Sequence, residues 1–396
     1  MPSSRPPTPI GGATRCGRVL APAYDKIIKN AAWRKHSHVV AACKSAIDKL
    51  PTLADFPPPA GGPAAYSSAI PTLAAADADA LLSPITLAVA TASPKLLDPA
   101  LDALFRLLSR NILFFHLQTI NSSSDNKDKN NNDNSDGNSN SLASQLVDSL
   151  CKCCSIKDEA IVLFAMKVLL AAVRSPIVVF RGDCLNHIVK TCYNVYLGGL
   201  SPATQICAKA VLAQMLLIVF ARVEEDSMFA NNFKIVSVAD LLEFTDKNLN
   251  DGNSVQAVQN LINEVVESNN GVVKMMMGND KPQNGNDDYS AGTRADEKAR
   301  GAGRENNGDT KDDEMQGASG LSELREDGFI LFKNLCKLSM KFSLQEHSDD
   351  QMLLKGKILS LELLKVIMDN GGPVWRSDER QVQPFTFFSI ALLTLS

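Results

Sequence analysis

Apolar residues recur at three- and four-residue spacing through most of the chain, and alternating runs of β-branched residues between hairpin turns are missing. That pattern predicts an all-α protein. A first long helix is expected near Tyr24 to Leu50, with Ile28, Ala32, Val39, Cys43, Ile47 and Leu50 inward and Pro51 as its stop. After a Pro/Ala/Gly-rich loop to about Ala75, Asp77 and Asp79 open an amphipathic stretch. Pro94 and Pro99 then punctuate the chain before a helix around Leu101 to Leu117.

Three dense helices follow. Ser155 with Asp158 resembles a capping box opening Ile156 to Val173, Asp183 is placed to cap a helix through Leu197, and Ser201-Pro202 precedes Ala203 to Arg222. The third, apolar nearly all round, must be covered by neighbours. Two more are expected at Val238 to Asn248 and Ser254 to Glu267. Further on, Ser322 precedes the N-terminal acids Glu323, Glu326 and Asp327 and the stripe Leu331, Leu335, Leu338 and Phe342. Ser348 with Gln351 opens the last helix, whose stripe is Leu354, Ile358, Leu361, Leu364 and Met368 and whose stop is Asn370-Gly371-Gly372-Pro373.

Helices of about 15 to 20 residues joined by short breaks predict an armadillo/HEAT-like helical solenoid with disordered insertions, although no period of roughly 40 residues can be written down. Residues 121–140 are almost entirely Asn, Ser, Asp and Lys, Asn269 to Ser319 is rich in Asn, Gly, Asp, Lys and Glu, and both are too polar to offset the entropy of ordering. The expected organisation is a flexible start at 1–13, a helical block at 14–268 with an insertion at about 121–140, a linker at 269–320, a second unit at 321–380 and a tail at 381–396.

Composition narrows the function. A net charge of -4 lacks the basic excess that a nucleic-acid binder needs. Met1 to Ala13 has neither an apolar core nor an anchor, and no segment approaches the roughly 20 apolar residues of a membrane span, so membrane contact is expected to be peripheral. Nine cysteines, mostly inside apolar stretches, fit a reduced, cytosolic compartment. The five histidines are scattered, and Cys151, Cys153 and Cys154 lack a second ligand pair, which gives no metal site and no cofactor. No phosphate-cradling glycine loop, GxSxG elbow or GxGxxG after a strand appears, so no catalytic residue is assigned. Glu224-Glu225-Asp226, at a helix end, reads as solvated charge. Met275 to Met277 reads as a chance apolar scrap in the linker. The one candidate interaction face is basic: Lys26, Lys29, Arg34 and Lys35 around Trp33, with Lys44 and Lys49 beyond, suited to an acidic partner or an anionic membrane. An ordinary solvated helix face, diluted by Asp25 and Asp48, is the plainer reading.

Three blocks in order carry a resemblance: GGATRCGRVLAPAYDKIIKNAAWRKHSHVVAACKSAIDKL; RGDCLNHIVKTCYNVYLGG with QICAKAVLAQMLLIVFARVEEDS; and LREDGFILFKNLCKLSMKF with GKILSLELLKVIMDNGGPVWRSDER. Together they resemble plant brefeldin A-inhibited ARF guanine-nucleotide exchange factors. The resemblance implies that the first block is a dimerisation and cyclophilin-binding domain and that the piece from about Leu321 begins the next upstream regulatory domain. It also implies partners: the chain itself or full-length exchange factors, cyclophilin, small GTPases, and Golgi/trans-Golgi membranes approached from the cytosol. The family's catalytic domain would lie later.

After Arg380 the sequence QVQPFTFFSIALLTLS departs from the family, as a truncated reading frame would. The expectation is a C-terminal hairpin left uncovered and aggregation-prone. A stand-alone armadillo-like trafficking adaptor and a fragment of an active exchange factor remain open as alternatives.

Overall fold

The computed structural model describes residues 14–52 without 33; 75–109; 142–268 without 177–179, 229, 231–232, 244 and 250; 313–341; and 351–376. Over these residues the chain is an all-α helical solenoid without a strand. Its helices are α1 (Arg15–Asn30), α2 (Ser37–Lys49), α3 (Ala75–Ala90), α4 (Pro94–Ser109), α5 (Leu142–Cys153), α6 (Glu159–Arg174), α7 (Gly182–Gly198) and α8 (Pro202–Glu225). They continue with α9 (Val238–Leu242), α10 (Gly252–Glu267), α11 (Asp313–Lys341), α12 (Gln351–Asn370) and α13 (Pro373–Arg376).

Consecutive helices pair across two layers. One layer stacks α1 on α4, α4 on α6, α6 on α8 and α8 on α11, while α2, α3, α5 and α7 stack in turn as the other. Helix α10 covers α6 and α8, and α12 and α13 also lie on α8. Side chains from α1 through α13 join one continuous hydrophobic cluster. A solenoid predicts this, because each helix pair buries its face only against the next pair.

Local chemistry sets several boundaries. Thr14 caps α1 by accepting from Gly17 N at 3.0 Å. The single helix expected from Tyr24 to Leu50 is two: Ala31 is extended (ψ 127°), and helix resumes only at Ser37. The apolar spacing runs on through Ala32, which is exposed, and so hides the break; Val39, Cys43 and Leu50 are buried as expected. Pro94 begins α4 rather than ending a segment, and Pro99 lies buried inside that helix. The carbonyl of Lys95, which a residue with an N–H at position 99 would serve, instead accepts the side-chain amide of Asn30 at 2.8 Å. Residues 110–117 of that expected helix lie outside the described residues.

Helix α5 was not anticipated from the sequence. Asp158 rather than Ser155 caps α6, accepting from Ile161 N at 3.2 Å. Asp183 sits in the first turn of α7, where Arg181 holds the capping position without a side-chain bond. Ser201 caps α8 with Pro202 in its first turn, as the sequence predicts, and the structure adds a reciprocal bond to Thr204 that completes a capping box. The helix expected from Val238 to Asn248 is the short α9 followed by a 3-10 turn at Lys247–Leu249. Asp251 caps α10.

Helix α8 corrects the expectation that nothing reaches bilayer-spanning length and apolarity. It passes on both counts, yet 94% of its most apolar window is buried inside the protein. Neighbouring helices, not lipid, take up its apolar surface.

The C-terminal hairpin departs furthest from expectation. Helix α11 starts at Asp313, inside the segment read as linker, so Glu323 and Asp327 are mid-helix rather than N-terminal acids. Ser348 lies outside the described residues, as do the two polar tracts over 121–140 and 269–312 and the tail after 376. On α12 the buried positions are Gly356, Leu359, Ser360, Leu363, Leu364 and Ile367, while Leu354 is 58% exposed. The stripe is rotated because the small residues Gly356 and Ser360 let α7 and α8 approach closely. The hairpin is not left uncovered: Phe332, Leu359, Leu364 and Trp375 are buried against the rest of the stack.

Candidate functional site

The residues that join the hairpin to the first helices form the most elaborate polar cluster among those described. Arg181, just before α7, donates from Nε to Asp327 Oδ2 at 2.8 Å and from a terminal nitrogen to Glu323. Gly182 has φ +52°, and its N–H donates to Asp327 Oδ1 at 2.9 Å. A side chain at that left-handed position would be strained. Burial pushes the Asp327 carboxyl up, while the hydrogen bond and charge of Arg181 and the N–H of Gly182 pull it back.

Next to this pair, Arg222 of α8 is buried and donates to the carbonyls of Val173, Arg174 and Ser175 at 2.7, 2.9 and 3.2 Å. It thereby satisfies the C-terminal carbonyls of α6 and sits at the negative end of that helix. Burial, then the nearby charge of Arg174, lowers its guanidinium to about 9, with Asp327 opposing.

Trp375 plugs the apolar centre of the joint. It is 2% exposed and meets Phe220 and Phe332 edge-to-face at centroid distances of 4.6 and 5.6 Å. Its segment is fixed by Glu224, whose carboxylate accepts from Val374 N at 3.0 Å and Trp375 N at 2.7 Å. The expectation that Glu224 is a solvated charge is therefore corrected: it is the acid at the start of α13.

On the far side of α8, Lys209 is 1% exposed and lies 2.8 Å from Asp246 and 2.6 Å from Glu362. The contact with Glu362 is close in distance but off the hydrogen-bond direction, so charge rather than a directed bond carries it. Tyr196 donates to Asp246 at 3.0 Å, and Thr245 donates to Glu362 at 2.5 Å. Burial together with the carboxylates Asp246 and Glu362 keeps the Tyr196 hydroxyl protonated far above its usual range. Tyr193 donates to Gly356 O at 2.7 Å and lies 2.9 Å from Ser360 Oγ, through the notch those two small residues leave.

The sequence-predicted residues lie elsewhere. Lys26 and Lys29 are exposed on α1, and Arg34 and Lys35 are exposed in the turn to α2; Trp33 lies outside the described residues. Cys151, Cys153 and Cys154 are buried, and burial raises Cys151 to about 11 and Cys153 to about 12. Such groups remain thiols, whereas nucleophiles and metal ligands are thiolates. Cys151 and Cys154 border an open cleft of about 480 Å³ between α5 and α7, where His187 Nδ1 stands 3.1 Å from Asp148. Among the described residues no group of three or more His, Cys, Asp or Glu side chains is placed to hold a metal ion. What the arrangement around α8 does is mechanical: it fixes the hairpin on the stack.

The sequence on the two sides of this joint matches two family models. Residues 14–227 match the Mon2/Sec7/BIG1-like dimerisation and cyclophilin-binding domain, and residues 324–386 match the Mon2/Sec7/BIG1-like HUS domain. The chain belongs to the Mon2/Sec7/BIG1-like family. It is similar to brefeldin A-inhibited guanine nucleotide-exchange protein 1 of Arabidopsis thaliana, 49% identical over 94% of this chain and 19% of that protein. It is also similar to protein 4 of the same plant, 46% identical over 93% of this chain and 20% of that protein. With protein 1 of Homo sapiens it shares 28% identity over 53% of this chain and 11% of the relative. The chain thus spans about a fifth of the length of the plant relatives it matches. In family terms, Arg181, Tyr193, Lys209, Phe220 and Glu224 fall in the dimerisation and cyclophilin-binding segment, and Asp327, Phe332, Gly356, Glu362 and Trp375 fall in the HUS segment. The joint binds the two together.

Proposed function

We propose that this chain is a regulatory and self-associating region of a brefeldin A-inhibited ARF guanine-nucleotide exchange factor, and that it performs no exchange itself. The observation that carries the reading is the presence, in order, of a dimerisation and cyclophilin-binding segment and a HUS segment, together with relatives named as exchange proteins that align over more than nine-tenths of the chain. The joint around α8 supports it. Two segments held by a buried aromatic plug, a guanidinium–carboxylate pair and a buried lysine move as one body, which suits a scaffold that transmits orientation rather than a site that turns over substrate.

In this reading the first helical block pairs with a second copy or with a full-length exchange factor and accepts cyclophilin or a small GTPase. It does so from the cytosol, at the surface of Golgi and trans-Golgi membranes, in vesicle-mediated transport. Light scattering on the purified chain should report a dimer, and immobilised chain should retain full-length exchange factor from a defined mixture. A monomer at all accessible concentrations, with no retention, sinks the self-association. Added to nucleotide-loaded ARF, the chain should leave the exchange rate unchanged; a clear acceleration would refute the non-catalytic reading.

A further inference from the structure

The fold gathers positive charge at one tip of the solenoid. Lys26 and Lys29 end α1, Arg34 and Lys35 occupy the turn to α2, and all four are exposed. The structure adds a fifth that the sequence does not suggest. Asn30 donates to the Lys95 carbonyl at 2.8 Å, which brings the start of α4, with its exposed Lys95, to the same end. The anions facing this tip are Asp25, which pairs with Lys29 at 2.5 Å, and Asp98, exposed one turn along α4. Among the described residues Lys29 alone of the five cations is ion-paired.

Over residues 14–50 there are eight Lys and Arg against Asp25 and Asp48, in a chain whose net charge is -4. The charge is a local feature, not an overall excess, which disfavours a long polyanion lying along the molecule. Among the described residues of the tip no large apolar side chain is exposed, and Trp33, within the turn, lies outside the described residues. A local cluster of four to eight cations is the composition that adsorbs to anionic lipid headgroups.

We infer that the α1–α2 turn, with Lys26, Lys29, Arg34, Lys35 and Lys95, is a docking surface for an anionic phospholipid bilayer. It deepens the membrane part of the proposed function and rests on that reading only for location. Its failure would leave the self-association test untouched.

The test is co-sedimentation of the full chain with vesicles of phosphatidylcholine alone or of phosphatidylcholine mixed with phosphatidylserine, the anionic lipid such clusters recognise. Binding should appear only on the anionic vesicles and weaken as salt rises. Each cation removed should weaken it about fivefold, so that the triple variant Lys26→Gln/Arg34→Gln/Lys35→Gln binds roughly 100-fold less tightly. The swap Arg34→Lys/Lys35→Arg should bind like the parent, and so should Lys333→Gln/Lys337→Gln on α11. Equal binding to neutral vesicles, an unaltered triple variant whose helical circular dichroism is intact, or an equal loss in the α11 variant would each overturn the inference. So would a chain that ignores vesicles but binds polyglutamate or RNA through the same residues, which would assign the tip to an acidic protein or a nucleic acid.

Discussion

Glu224 at the end of α8 accepts the main-chain N–H of Trp375 at 2.7 Å, across 151 residues of sequence. With Val374 N also bound, one carboxylate satisfies two donors at the first turn of α13 and sets the angle at which the indole enters between Phe220 and Phe332. Hydrogen bonds to a charged group are worth about 1.5–3 kcal/mol. Glu224→Ala should therefore loosen the hairpin by about that much. In a Trp33→Phe background the remaining Trp375 emission should shift to the red, and amide exchange should rise over 351–376 while 15–109 keeps its protection.

The glycines beside that contact give an independent check. A Cβ on Gly372 would stand 2.4 Å from Glu224 Oε2, and one on Gly371 would stand 2.7 Å from the Trp375 ring and 2.9 Å from the Ile367 carbonyl. Gly252 and Gly198 have nothing within 4 Å. Gly372→Ala and Gly371→Ala should each lower the unfolding midpoint, by the equivalent of about 1–3 kcal/mol. Gly252→Ala and Gly198→Ala should leave it level or raise it. Four similar midpoints in denaturant melts would contradict the packing at the joint.

What the sequence reveals depends on how far apart the cooperating residues lie. The cap of α8 is legible because Ser201 and Pro202 are adjacent and the apolar run behind them is long. The roles of Glu224, Asp327 and Asn30 are not, since each is an ordinary surface residue until a partner from another helix pair arrives. Helix α5 is hidden by the polar tract before it, and the phase of α12 by apolar residues on more than one face, with Gly356 and Ser360 deciding which side packs. At the tip, the charges can be read directly, but the contribution of Lys95 cannot.

Lys209 tests whether charge at the joint specifies or stabilises. Its ammonium is 1% exposed between Asp246 and Glu362. Removing one member of such a group leaves uncompensated buried charge and costs about 3–5 kcal/mol, whereas replacing the whole group by apolar residues is often neutral. Lys209→Met alone should thus destabilise strongly, and Lys209→Met/Asp246→Leu/Glu362→Leu should recover most of the loss in the same melt. A triple variant as weak as the single one would place the cost in packing around α8 instead.

The thiols supply a pH prediction with a definite sign. Burial raises Cys43, Cys153, Cys207 and Cys336 to about 12 from an ordinary value of 9.0. The folded chain therefore holds protons that the unfolded chain releases between roughly pH 9 and 12. Their contribution is fully present below pH 9 and is lost as pH rises through that window, so alkaline unfolding should come early and steeply. At pH 8 the same burial should block alkylation. Of the nine cysteines only Cys184 is partly exposed, and it should label first, with the other eight following only at the rate of unfolding. Peptide mass mapping of a timed iodoacetamide reaction reads this directly, and rapid labelling of Cys154 or Cys207 in the native chain would show that the stack around α8 opens far more readily than its packing implies.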